Sequence, residues 1–298
     1  MERVSRSAVR ILMVTTMLCG AAGCRKMASD DQAQIGAAVG EAMAGLDESV
    51  QGEGTAVLRR GVPVLNVPDD LKGSMWRRVL DRVIPSAYAA SCWVTPLSAC
   101  NGGMRTRTFD HCTLGAATLE GMTTLTFNRP ALCVLATAGD SVTRAATLTL
   151  TGLYGGTLEV TSPGGGQTVT KTAAGFEYAV GGMQRVLKGP GGRTLFDVGT
   201  RTTTPLTVTG TSRANLVITS GAFEIDHHLA GYKVTLVPQN LTWSASCNCA
   251  VSGSLTGTVA GGTLDGKAAS VTVTGCGHAD LTIDGDTESI TLDRCAGL

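Results

Sequence analysis

From about residue 92 to its C-terminus the chain alternates apolar and polar side chains with a period of two, and glycine-rich turns break the alternation roughly every 10 residues. Leu119, Leu125 and Phe127 share one parity, and Glu120, Thr124 and Thr126 share the other. Ala146, Leu148 and Leu150 alternate with Thr147, Thr149 and Thr151. Tyr232, Val234 and Leu236 alternate with Lys233 and Thr235, and Val271 and Val273 with Ser270, Thr272 and Thr274. Ile290 and Leu292 end the chain in the same manner. Each run reads as a strand with one buried face. Gly155-Gly156, Pro163-Gly164-Gly165-Gly166, Gly181-Gly182, Gly191-Gly192, Gly261-Gly262 and Asp284-Gly285-Asp286 read as turns. Consecutive strands joined by short turns pair antiparallel. The expected fold is all-β: a many-stranded antiparallel meander, either a sandwich or a curled, barrel-like sheet. Periodicity does not choose between them.

Composition agrees. Only 16% of the residues are charged, against roughly 25% in ordinary domains, and Thr, Ser and Gly hold the polar positions. Lys and Arg balance Asp and Glu at 24 each, so charge draws the chain neither to nucleic acid nor to anionic lipid.

Residues 1–90 have a different texture. Arg3, Arg6 and Arg10 precede the apolar stretch Ile11–Leu18, which is too short to cross a bilayer. Small residues follow, in the order of a secretory signal. Ala21-Ala22-Gly23-Cys24 resembles a bacterial lipobox, with Ala21 where that pattern prefers Leu. The resemblance implies removal of residues 1–23, lipid on Cys24 and membrane anchoring through it. Arg25 after Cys24, in place of Asp, implies the outer membrane. An ordinary signal peptide would leave Cys24 a plain thiol. Within 24–90, Ser29-Asp30-Asp31-Gln32 reads as a helix cap ahead of Ile35, Val39, Met43 and Leu46. Pro68-Asp69-Asp70 opens a second amphipathic helix with Leu71, Met75, Val79 and Val83 on one stripe. That helix docks either on the β domain or on a membrane surface. The expected division is 1–23 signal, 24–90 anchor segment and 91–298 β domain. The chain also resembles Gram-negative lipoproteins of unassigned function, at Cys24, at Phe109-Asp110-His111-Cys112 and at Gly275-Cys276-Gly277 with Leu292-Asp293-Arg294-Cys295. That resemblance implies no activity.

Eight cysteines remain beyond Cys19 and Cys24: Cys92, Cys100, Cys112, Cys133, Cys247, Cys249, Cys276 and Cys295. An even number in an exported chain reads as disulfides, each adding about 3 kcal/mol on the chain-entropy estimate. Cys247 and Cys249 share one strand face, so they bond elsewhere, with Cys276 and Cys295 as available partners. Ser98-Ala99-Cys100-Asn101 and Ser244-Ala245-Ser246-Cys247-Asn248 echo each other, through duplication or through chance in a repetitive background.

The most chemically loaded stretch is Phe223-Glu224-Ile225-Asp226-His227-His228. As a strand it points Glu224, Asp226 and His228 one way, and Phe223, Ile225 and His227 the other. Asp226 and His228, with His278, are the candidates for a metal, but no metal or other cofactor is expected. No distant carboxylate or nucleophile can be tied to the strand. Asp110, His111 and Cys112 are neighbours expected to point apart. The chain lacks the Gly-x-Ser-x-Gly, His-Glu-x-x-His and phosphate-loop patterns. With aromatics at 4% there is no stripe for a polysaccharide. The expectation is a non-enzymatic envelope lipoprotein whose β domain is structural, adhesive or partner-binding. The alternatives are an extracytoplasmic hydrolase or metal enzyme using residues 222–228, and a carrier of a hydrophobic ligand. The expected partners are a membrane, through Cys24, and an envelope or extracellular component, with no nucleic acid.

Overall fold

In a computed structural model of the chain, residues 98–114, 117–131, 133–210, 213–247 and 250–291 are described. The helices expected within 24–90, Cys24, Cys92, Cys249 and Cys295 lie outside the described residues. Twelve strands follow one another: β1 (Met104–Leu114), β2 (Ala117–Phe127), β3 (Ser141–Thr151), β4 (Thr157–Lys171), β5 (Gly175–Lys188) and β6 (Thr194–Thr209), then β7 (Val217–His227), β8 (Tyr232–Trp243), β9 (Ala250–Gly261), β10 (Ala268–Gly275), β11 (His278–Ile283) and β12 (Asp286–Thr291). They form one sheet in the order of the sequence, and every neighbouring pair is antiparallel. The expected meander is therefore present, as one sheet.

The alternation sets the sheet's two faces. In β7, Phe223, Ile225 and His227 are buried while Glu224 and Asp226 are partly exposed. Most buried side chains merge into one core that runs from Cys112 in β1 to Ile283 in β11, and Leu125, Phe127 and Cys133 form a second, small cluster with Val142 packed against it. Packing is tightest towards the C-terminal half, where Ile218, Ile225, Val234, Leu236, Leu255, Val271 and Leu281 are wholly buried. Burial of such a side chain contributes about 1.5–3 kcal/mol.

Two of the expected turns are not turns. Pro163–Gly166 lies inside β4, and Gly181-Gly182 lies inside β5. Both belong to a band of β-bulges that crosses the sheet, at Phe109/Cys112 in β1, Arg144/Thr147 in β3, Thr161/Gly166 in β4, Tyr178/Met183 in β5, Thr202/Thr204 in β6 and Gln239/Thr242 in β8. Bulges bend a strand and increase its twist. Glycine is required at this band because the backbones nearly touch. A Cβ on Gly166, at φ 89°, would stand 2.0 Å from the Arg144 carbonyl oxygen. Side chains replace ladder bonds lost here. The Ala146 N–H donates to Ser162 Oγ at 2.9 Å, and the Val180 N–H to Thr202 Oγ1 at 3.0 Å.

The antiparallel order sorts the connections onto two rims. The β3–β4, β5–β6, β7–β8, β9–β10 and β11–β12 turns lie on one, called the upper rim below. The lower rim holds the segment entering β1 and the connections β2–β3, β8–β9 and β10–β11. Two disulfides close the lower rim: Cys100–Cys133, with Cα atoms 5.9 Å apart, and Cys247–Cys276, at 5.7 Å. The first clips the base of the β1–β2 hairpin and the second the base of the β9–β10 hairpin. The two echoing sequences thus perform the same task. Cys112 is disulfide-bonded as well. These bonds fit an extracytoplasmic location.

Candidate functional site

The outer face of β5–β8 carries a charged network, and the sheet register explains it. Gly199 pairs with Asp226, Arg201 with Glu224, and Asp226 with Lys233. Cross-strand neighbours on one face stand about 5 Å apart, which suits ion pairs. Lys233 Nζ lies 2.7 Å from Asp226 Oδ2 and 3.7 Å from Glu224 Oε1. Arg201 holds Glu224 Oε1 through Nε and Nη2, both at 2.9 Å. The hydrogen bond to Asp226, followed by the charges of Asp226 and Glu224, raises the Lys233 pKa above its ordinary value.

His228 is tied to a residue that the sequence gave no reason to link with it. Its Nδ1 lies 2.8 Å from Asp197 Oδ1, and its backbone N–H donates to the Asp197 carbonyl at 3.0 Å. Gln184 donates to the same carboxylate oxygen at 2.9 Å. The distant carboxylate that sequence reading could not find is therefore Asp197, brought in by β6. Its only signal in the sequence is its parity with Gly199 and Arg201. The Asp226 carboxylate stands 3.8 Å from His228 Nε2, beyond hydrogen-bond distance. The imidazole ring lies over Gly199, where an added Cβ would meet Nε2 at 3.6 Å.

Asp197 fixes the orientation of His228, as a carboxylate does beside a histidine base or metal ligand. The rest of the network has other work. Asp226 and Glu224 are both engaged by Lys233 or Arg201, and no Ser, Thr or Cys belongs to these contacts. His278 is not brought to the group: it opens β11, beyond β8, β9 and β10, with its side chain exposed. Among the described residues no three His, Cys, Asp or Glu side chains are arranged to hold a metal ion.

His227 faces inward as expected and is buried. Its ring packs edge-on to Phe196 with centroids 5.5 Å apart, and against Tyr232 at 5.2 Å. The Ala230 N–H donates to its Nδ1 at 3.2 Å, a bond that needs the Nδ1 lone pair.

Asp110 and His111 do not point apart. The β1 bulge puts His111 at φ 46° and turns its side chain beside that of its neighbour. His111 Nδ1 lies 2.7 Å from Asp110 Oδ1, and Nε2 lies 3.0 Å from Glu120 Oε1. The Asp110 hydrogen bond and then the Glu120 charge raise the His111 pKa. The group is solvent-exposed, and Cys112 faces the core in its disulfide. It forms no nucleophile–base pair.

Sequence reading also passed over Asp140, which is buried. Its Oδ2 accepts from the backbone N–H groups of Ala136 and Thr137 at 2.8 and 2.6 Å and from the Thr137 hydroxyl at 3.2 Å. Its Oδ1 pairs with Arg129. These contacts, the Thr137 N–H foremost, hold its carboxyl below the ordinary carboxylate range, and the β2–β3 loop is built around it.

Comparison with known proteins yields no relative: no family model, no curated protein and no solved structure matches the chain significantly.

Proposed function

We propose that the chain is a cell-envelope lipoprotein, cut before Cys24 and anchored to the outer membrane by lipid on that cysteine, and that its β domain binds a partner instead of catalysing a reaction. The observation that carries the binding reading is the distribution of exposed apolar side chains. The three most exposed large ones, Leu153 (64%), Tyr154 (53%) and Leu229 (52%), all stand on upper-rim turns, and Leu195 is exposed at the same rim, at the start of β6. Large apolar side chains left exposed along one rim suit contact with a partner or an interface. The charged outer face supports the non-enzymatic reading, because its carboxylates are already engaged by Lys233, Arg201 and His228.

The anchor is tested by expressing the full chain and its Cys24→Ser variant in a Gram-negative host with labelled fatty acid. The expected result is label and membrane fractionation for the native chain, and loss of both for the variant. An unlabelled native chain whose mature N-terminus lies elsewhere would overturn it.

A further inference from the structure

We propose that the inner face of β1–β4 holds a binding site for an amphiphile with one oxyanion head, a carboxylate or a phosphate, gripped by Arg107 and Arg144. The site is separate from the upper-rim surface and does not depend on lipid at Cys24.

Parity turns both arginines inward. Leu119, Thr123 and Leu125 are buried on one face of β2. Arg107 of β1 pairs with Thr123, and Arg144 of β3 pairs with Leu125, so both share that face. Arg144 pairs on its other side with Gln167 of β4, which is buried too. The acidic residues of β2–β6 take the opposite face. Glu120, Glu159, Glu177 and Asp197 directly follow or precede the inward-facing Leu119, Leu158, Tyr178 and Phe196. Asp110 in β1 is exposed. The inner face of these strands is therefore positive.

The core is interrupted at the same place. Leu119 belongs to the main core, whereas Leu125 belongs to the small cluster with Phe127 and Cys133. Thr123 stands between them in β2, level with Arg107. It is 1% exposed, and its Oγ1 has no hydrogen-bond partner. A buried hydroxyl left in that state is costly, and a ligand oxygen beside it removes the cost. Burial also lowers the Arg107 pKa, as it does for a cation stripped of water. An anion restores what the water supplied. Bulges at Phe109/Cys112, Arg144/Thr147 and Thr161/Gly166 border the patch, and bulges re-aim side chains beside binding sites.

Two strand spacings and a two-residue step set the Arg107 and Arg144 Cα atoms about 12 Å apart. Two arginine side chains close that span from either side around one oxyanion. Both arginines also interact within the chain. A guanidinium has five donors in a fork that fits carboxylate and phosphate, so it can share them between the chain and a ligand. Leu125 lies between the two arginines, and Phe109 and Val142 stand two residues from them on the same face. Those surroundings suit a ligand whose body is apolar and whose only charge is its head.

The test is thermal unfolding of the full-length protein with hexanoate, hexyl phosphate, hexanol or hexyltrimethylammonium. A ligand that binds only the folded state raises Tm as its concentration rises. Hexanoate or hexyl phosphate should raise Tm with a half-saturating concentration, and the two compounds without negative charge should not. Whichever anion saturates at the lower concentration tells a carboxylate head from a phosphate head. In Arg107→Gln and in Arg144→Gln that concentration should rise roughly tenfold, as for loss of a charged hydrogen bond. Arg193→Gln, an exposed change on the β5–β6 turn, should leave it unchanged. Equal responses to hexanol and hexanoate, no response to either anion, or unchanged half-saturation in both inner-face variants would overturn the proposal. The four compounds compared on the native protein decide it even if neither variant folds.

Discussion

His228 and Asp197, 31 residues apart in sequence, are joined twice, by an Nδ1 to Oδ1 contact of 2.8 Å and by a backbone hydrogen bond of 3.0 Å. The side-chain contact lies on an open sheet face, and the His228 side chain is 42% exposed. An exposed pair of this kind contributes about 0.5 kcal/mol. The double-mutant cycle of His228→Ala and Asp197→Ala should therefore give a coupling near that value in urea unfolding. A coupling of several kcal/mol would mean a buried, specialised pair, and the non-enzymatic reading of this face would fail.

The β2–β3 loop should depend on acid pH through Asp140. Its folded-state pKa lies below the unfolded value of about 3.9. Its contribution is therefore complete above that value and is lost as pH falls through the lowered folded-state pKa. Amide exchange at Ala136 and Thr137, whose N–H groups donate to the carboxylate, should accelerate in that acid window in the native protein. Asp140→Ala should show fast exchange there already at neutral pH. Equal protection of these amides in the variant would remove Asp140 from its role.

The bulge band makes neighbouring glycines unequal. Gly165 and Gly166 both have positive φ, at 92° and 89°. A Cβ on Gly165 meets nothing within 4 Å, whereas one on Gly166 collides with the Arg144 carbonyl. Gly165→Ala should cost about 1–2 kcal/mol, the strain of a left-handed residue. Gly166→Ala should cost clearly more, because β3 must also move. Thermal unfolding of the two variants measures the difference, and equal melting temperatures would contradict the close approach of β3 and β4.

Much of this sheet is legible in the alternating residues. Tyr232, Val234 and Leu236 face inward as their parity requires, and Gly155, Gly191, Gly262 and Gly285 fall between strands. The glycines at 164–166 and 181–182 mislead because a bulge and a turn demand the same positive φ or absent Cβ. Local sequence cannot tell whether the chain reverses or merely kinks there. His111 misleads for the same reason: a bulge breaks the parity that would point it away from Asp110. Asp197 could not be assigned to His228, because pairing depends on the register between β6 and β7. Three local shifts, between Thr202 and Val208, alter that register.

The hairpin clips at the lower rim should stabilise by similar amounts. Cys100–Cys133 and Cys247–Cys276 close sequence separations of 33 and 29 residues. The loop-entropy relation gives about 3.5 kcal/mol for each. Paired Cys→Ser variants of either bridge should lose roughly that much in guanidinium unfolding. If one pair costs under about 1 kcal/mol, its hairpin is already closed in the unfolded chain, and the clip is not what holds that end of the sheet.

The upper rim should meet lipid if the anchor holds and its exposed apolar turns are what the domain presents to the bilayer. Tyrosine and leucine on hairpin tips suit the headgroup boundary, where an amphipathic ring keeps one end in water. Val237 offers an internal comparison: it is exposed, at 37%, but sits within β8 and away from the turns. Full-length lipidated protein carrying an environment-sensitive dye at Tyr154→Cys or at Val237→Cys can be reconstituted in phosphatidylethanolamine–phosphatidylglycerol vesicles. Brominated acyl chains should quench the dye at position 154 and leave that at 237 unchanged. Equal quenching at the two positions, or none at 154, would show that the rim faces solvent and would leave a protein partner as its occupant.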